Sequence, residues 1–95
     1  MGNRKSPDEV LLDKFVQILL DNNAYEQADI LQSMADAGEW AAGLDYSMLY
    51  CNDLGIVPDA GLLRSVLQSP WCEKDSDADE IAHKLLRKAQ ASIAS

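Results

Sequence analysis

The chain has few of the residues on which most catalytic and nucleic-acid-binding sites depend. Its 95 residues include one histidine, two cysteines and eight lysines or arginines, against sixteen aspartates or glutamates, for a formal net charge of −8. Phosphates repel such a surface, so nucleic acid is a poor direct partner, and an anionic membrane is disfavoured for the same reason. No apolar run approaches the roughly 20 residues of a membrane-spanning helix. The composition indicates a protein-binding protein and not an enzyme.

Positive charge is missing from the middle of the chain. No lysine or arginine lies between Lys14 and Arg64, and these 49 residues hold eight of the sixteen acids. Outside this window eight acids balance eight bases, so the whole net charge lies in the central half. One interpretation is a solvated face that keeps the protein soluble. The other is a surface matched to a basic partner, whose field speeds encounter.

Apolar residues recur at spacings of three and four along the chain, as in amphipathic helices, and no stretch alternates with period two. Short turns between helices favour antiparallel neighbours. We therefore expect an all-α fold, a single-domain bundle of about five mostly antiparallel helices over residues 1–95, with residues 1–6 as a frayed N-terminal tail. The expected helices span about 7–21, 24–37 and 39–54, then a shorter helix that Pro58 and Asp59 open and that ends before Pro70, and finally 78–92.

Local signals predict where these helices begin and end. Ser6, Pro7 and Glu9 form a capping box with proline at the first helical position. Asn23 is the expected N-cap of the second helix. Gly38 is expected to adopt the left-handed backbone that ends the second helix, and Gly55 is expected to end the third.

The third helix has an apolar stripe, and its neighbouring loop contains a tryptophan. The stripe expected to face the core follows steps of three and four: Trp40, Leu44, Met48, Cys51 and Leu54. Ser76 or Asp77 is expected to cap the fifth helix, and Trp71, in the loop before it, is expected to be tucked against the core.

The sequence indicates neither a metal site nor a cofactor. Asp75, Asp77 and Asp79 have the spacing of an EF-hand, but Glu80 and Leu86 occupy the positions where that loop needs glycine and a bidentate glutamate. The acids are better explained as the first turn of a helix.

The two cysteines do not indicate catalysis. Cys51 and Cys72 have only His83 to complete a zinc site, which needs about four ligands. Neither cysteine has neighbours that favour a thiolate. Without a signal peptide, both are expected to be reduced thiols of a cytoplasmic protein, although a disulfide stays open.

A second face of the third helix has the composition of an interaction surface. Tyr46 and Tyr50 lie between Glu39 and Asp53 at helical spacing, with Gly43 permitting close approach of a partner. The alternative is that one or both tyrosines pack under a neighbouring helix with only the hydroxyl in water. On the second helix, a polar side with Asp29, Ser33 and Asp36 is expected to extend the same surface.

Several short runs in the central half carry a family resemblance: Ala37-Gly38-Glu39-Trp40-Ala41-Ala42-Gly43-Leu44-Asp45, Leu49-Tyr50, Ile56-Val57-Pro58 and Leu62-Leu63. With these runs, the segment 25–67 resembles small bacterial immunity proteins of the MafI-like kind, from polymorphic toxin and contact-dependent growth inhibition systems. The match covers about half the chain. Tetratricopeptide hairpins have a similar Gly-x-aromatic turn, but their 34-residue period is missing here.

The resemblance implies an antitoxin that is monomeric when free and binds a basic toxin domain, often a nuclease, one to one. Its carboxylates would pair with lysine or arginine on the toxin, and its tyrosines would be the aromatic anchors. The expected partner-binding residues are Asp29, Asp36, Glu39, Tyr46, Tyr50 and Asp53.

Three other functions stay open at this point. A helical adaptor or secretion chaperone without a toxin partner would have an exposed apolar groove and several clients. A DNA mimic would space its carboxylates evenly along one ridge. An enzyme would need a pocket around His83 and a cysteine.

Overall fold

The computed structural model describes residues 6–94 and shows an all-α bundle, as predicted from the sequence. Its helices are α1 (Pro7–Asp21), α2 (Tyr25–Asp36), α3 (Trp40–Leu54), α4 (Ala60–Gln68) and α5 (Asp77–Ala94). No strand occurs in the part of the chain that is described. Residues 1–5 of the expected tail lie outside that part, whereas Ser6 belongs to the fold as the N-cap of α1.

Capping side chains begin three of the helices. The Ser6 hydroxyl accepts a hydrogen bond from the Glu9 backbone N–H at 3.2 Å, with Pro7 at the start of α1. Asp59 accepts from the Gly61 N–H at 2.9 Å at the start of α4. Ser76 accepts from the Asp79 N–H at 3.2 Å at the start of α5. Each bond satisfies a backbone donor that has no partner within its own helix.

Left-handed residues end the first three helices. Gly38 (φ 71°) follows α2 and Gly55 (φ 70°) follows α3, which confirms both predictions. Asn23 (φ 61°) has the same role after α1, and the Ala24 N–H then donates back to the Leu19 carbonyl at 2.8 Å. The prediction of Asn23 as N-cap of α2 is therefore wrong, because this asparagine supplies the left-handed backbone that ends α1.

Helix α3 is the shared element of the bundle. It packs against α1, α2 and α5, while α1 also packs against α2 and α4 against α5. Two hydrogen bonds join α3 to α5, from the Ala78 N–H to Asp45 Oδ1 and from Lys84 Nζ to Asn52 Oδ1. The earlier residue of α3 (Asp45) bonds to the earlier residue of α5 (Ala78), and the later residue (Asn52) bonds to the later one (Lys84). Helices α3 and α5 therefore run in the same direction and are not antiparallel neighbours.

One apolar core joins all five helices. Its fully buried large side chains come from each helix: Leu12, Phe15, Leu19, Leu31, Met48, Leu63, Val66 and Leu85. Burying a side chain of this size contributes about 1.5–3 kcal/mol to the free energy of unfolding. No helix within residues 6–94 combines the length and the hydropathy needed to cross a membrane.

Two predicted core residues are exposed. Trp71 keeps 45% of its surface accessible, because its indole N–H reaches the α1 residue Asp8 at 3.2 Å and the ring lies on the surface of the bundle. Leu54 is 44% exposed at the last position of α3. Beyond Gly55 the chain folds back, the Ile56 N–H donates to the Cys51 carbonyl at 2.8 Å, and Ile56 packs against the core instead.

Gly43 has a different role from the one expected of it. It is buried, and a Cβ atom at this position would lie 2.5 Å from Leu12 Cδ1. The close approach that this glycine permits is therefore that of α1 to α3, and not that of a binding partner. Leu12 is itself buried, so its side chain has little room to move away.

We predict that Gly43→Ala destabilises the protein by about 1–2 kcal/mol, since overpacking outweighs the better helix propensity of alanine. Urea unfolding followed by circular dichroism measures the change. In a Leu12→Ala background the same substitution should cost nothing, because the obstructing methyl groups are gone. An equal cost in both backgrounds would contradict this account of the contact.

Candidate protein-binding surfaces

The structure leaves one flank of α3 open to solvent. We define the α3 surface as Glu39, Tyr46, Tyr50 and Asp53. Glu39, Tyr46 and Asp53 are exposed, whereas Tyr50 is half-buried and packs against the core. Of the two tyrosines, Tyr46 has its ring exposed, as an interaction surface requires. Tyr50 instead packs against the bundle, as the alternative interpretation expected.

The two tyrosines of the α3 surface form an aromatic pair. Their ring centroids are 5.6 Å apart and the ring planes are inclined by 42°, a separation at which aromatic rings attract each other. Burial, and secondarily the neighbouring Tyr46, raise the pKa of the Tyr50 hydroxyl above its ordinary value. The half-buried ring of Tyr50 thus supports the exposed ring of Tyr46 from one side and limits its freedom.

The predicted acids of α2 lie on a second surface. We define the α2 surface as Glu26, Asp29, Ile30, Ser33 and Asp36, all of which are exposed. Helix α2 packs against both α1 and α3, and these five residues lie on the side of α2 that is open to solvent. Asp29 and Asp36 therefore lie on a different helix from Tyr46 and Asp53.

Helices α2 and α3 keep their negative charge. Neither contains a lysine or arginine. The Asp36 carboxylate accepts a hydrogen bond from the Gln32 side-chain amide at 3.0 Å, which orients the carboxylate without neutralising it. Lys84 of α5 reaches α3 at Asn52, on the flank that faces α5 and not on the α3 surface.

Asp45 is an acid of the central window that has a structural role. Its carboxylate accepts the hydrogen bond from the Ala78 N–H at 2.9 Å and so caps α5 from a distance of 33 residues along the chain. Sequence reasoning missed this contact, as it missed the bond between Trp71 and Asp8. The local signal for an α5 cap at Ser76 gave no indication that a second, tertiary cap was present.

A cleft lies between the N-terminal half of α1 and the C-terminal end of α4. Its volume is about 300 Å³, and Val10, Leu11 and Lys14 line one side, with Gln68 and Pro70 on the other. The lining is mixed in polarity and contains neither cysteine nor histidine. Among residues 6–94, no group of three histidine, cysteine or acidic side chains converges so as to hold a metal ion.

Both cysteines are free. Burial raises the pKa of the Cys51 thiol to about 11. Burial also raises the pKa of Cys72, and the nearby carboxylate of Asp79 adds to this effect. A raised pKa reduces the fraction of nucleophilic thiolate near neutral pH, so the setting of neither thiol favours nucleophilic attack.

Comparison with protein-family models, with curated proteins and with solved structures found no match to this chain. The resemblance to MafI-like immunity proteins therefore depends on the sequence runs described above.

We predict that Asp45→Ala destabilises the protein by about 1–2 kcal/mol, because the Ala78 N–H loses its partner at the start of α5. Asp53→Ala is the matched control, since Asp53 is an exposed aspartate of the same helix. Urea unfolding of both variants measures the difference. Equal stability of the two would show that the tertiary cap contributes nothing.

We also predict that iodoacetamide at pH 8 modifies Cys72 slowly and leaves Cys51 unmodified in the folded protein. Both thiols have raised pKa values, but only Cys72 is partly accessible. Mass spectrometry of the alkylated protein identifies the modified residue, and addition of urea should release Cys51 for reaction. Rapid modification of Cys51 without denaturant would contradict the burial of this thiol.

Proposed function

We propose that this protein is a cytoplasmic immunity protein that binds a basic toxin domain, often a nuclease, and neutralises it. The observation that carries the proposal is the α3 surface, where an exposed tyrosine rests on a second tyrosine between two exposed carboxylates. Tyrosine is enriched among the residues that dominate binding energy, and carboxylates complement a basic partner. Nuclease sites that hold phosphates are basic, so an acidic surface suits such a toxin.

The charge distribution supports an electrostatic contribution to binding. Because neither α2 nor α3 contains a lysine or arginine, the field of their carboxylates attracts a cationic protein and raises its association rate. A carboxylate that becomes desolvated against a toxin lysine or arginine contributes about 2–5 kcal/mol, whereas one at a solvated rim mainly affects the association rate. Tyr46, with the larger exposed ring, is the aromatic anchor, and Glu39 and Asp53 are the flanking acids.

The decisive experiment joins capture with neutralisation. The tagged protein is used to isolate its partner from the source cells at low salt and again at roughly 0.5 M salt, where surface electrostatics are screened. We expect one basic protein, encoded beside this chain, whose capture weakens at high salt and whose toxicity in a test host is relieved by co-expression. Relief of toxicity is required, since capture alone does not establish immunity.

We predict that Tyr46→Ala weakens binding of that toxin by at least about 2 kcal/mol, as expected when a hot-spot aromatic is truncated. Tyr46→Phe should retain most of the affinity if the ring is the anchor. Val10→Ala, at a residue that is exposed to the same degree (40% against 41%), should leave affinity unchanged. Calorimetry on the purified pair measures all three, and an unaltered affinity of Tyr46→Ala would exclude this surface as the main contact.

One observation favours a helical adaptor or secretion chaperone as the second candidate. The cleft between α1 and α4 includes the exposed apolar side chain of Val10, and the exposed Trp71 follows the end of α4. Binding there would depend on apolar contacts and so resist high salt. Several salt-resistant clients, lost on Val10→Asp but not on Tyr46→Ala, would establish this function and overturn the immunity proposal.

A further inference from the structure

The outward side of α2 contains a depression that the candidate binding residues do not explain. It is shallow and open to solvent, and four side chains border it: Glu26, Asp29, Ile30 and Ser33. These positions follow the pattern i, i+3, i+4 and i+7 on a single helix. Four residues in that pattern form the hole that receives one side chain of a facing helix in knobs-into-holes packing.

The chemistry of the four walls makes this hole amphipathic. Ile30 is 47% exposed and provides an apolar wall. Ser33 is small, and its hydroxyl donates to the Asp29 carbonyl at 3.1 Å, so its polar group is already satisfied within α2. Glu26 and Asp29 add two exposed carboxylates at one side. A side chain entering the hole would contact Ile30 without stripping water from an unpaired hydroxyl.

Charge identifies the kind of helix that fits. No lysine or arginine occurs within residues 15–63, and Asp36 extends the negative charge one turn beyond the hole. A second copy of this chain would bring its own α2 carboxylates against these and be repelled. A helix with lysine or arginine beside an apolar residue would be attracted instead.

We propose that the α2 surface docks a basic amphipathic helix of a partner protein. One apolar side chain of that helix enters the hole beside Ile30, and its flanking cations lie against Glu26 and Asp29. The docked stretch of α2, from Glu26 to Ser33, is about 10 Å long at 1.5 Å per residue, so two turns of the partner helix cover it. The basic character of the partner rests on the proposed function. The residues that dock it belong to the α2 surface and not to the α3 surface, and they add Glu26 and Ile30 to the expected contacts.

The test uses a peptide and does not require the toxin. The probe is a synthetic helix of about three heptads with leucine at positions a and d and lysine at e and g. A peptide of the same composition in scrambled order is the control for charge alone. Amide shifts of the isotopically labelled protein, measured at low salt, report both the place and the strength of binding.

We expect saturable shifts confined to α2, with the scrambled peptide binding at least tenfold more weakly. Ser33→Leu fills the hole while favouring the helix, and should weaken binding about tenfold or more. Glu26→Gln with Asp29→Asn should weaken it by roughly tenfold at low salt, the effect of two partly solvated ion pairs. Glu73→Gln with Glu80→Gln, a matched double neutralisation at exposed acids elsewhere, should change it less than about twofold.

Three results would overturn the inference. Binding of the scrambled peptide as tightly as the helical one would show that charge alone is responsible. Shifts at the cleft between α1 and α4 would place the helix elsewhere. A dimer in sedimentation equilibrium that Ser33→Leu abolishes would show that a second copy occupies the hole.

The outcome is separable from that of the proposed function. If no toxin is neutralised but the peptide docks on α2 with the stated mutant effects, the immunity proposal fails and the docking surface stands. If a toxin is neutralised and Ser33→Leu changes neither toxin nor peptide affinity, the docking surface fails and the immunity proposal stands.

Discussion

Helix α3 packs against three of the other four helices, and this constraint decides which of its residues a partner can reach. On one side, Gly43 lets α1 approach so closely that Leu12 fills the space of a side chain. On the side of α5, the bonds of Asp45 and Asn52 join α3 to that helix. The flank that remains carries Tyr46 and Asp53. A bulkier residue at position 43 would shift α1 against α3.

Some carboxylates of this protein cap helices, and others accept hydrogen bonds only from neutral side chains. Asp45 and Asp59 accept hydrogen bonds from backbone N–H groups at helix starts, where negative charge is favourable. Asp21 and Asp36 accept from the neutral amides of Gln17 and Gln32 one turn earlier, so their charge persists. Counting acids along the chain therefore overestimates the carboxylates that are available to a partner.

The two candidate surfaces use the same charge in different ways. The α3 surface presents a convex aromatic side chain supported by a second ring, which suits insertion into a pocket of the partner. The α2 surface is concave and suits the reverse arrangement, in which the partner supplies the inserted side chain. Both surfaces lie in the part of the chain without lysine or arginine, so each would attract a basic protein.

The sequence by itself determined the helices, their ends at Gly38 and Gly55, and the location of the negative charge. Those features depend on residues within about five positions of one another, such as a glycine that alone adopts a positive φ at little cost. The tertiary structure decided that Gly43 faces α1, that Asp45 caps α5, and that Trp71 stays on the surface. Each of these depends on which helices pack together, and the spacing of apolar residues within one helix is compatible with several such arrangements.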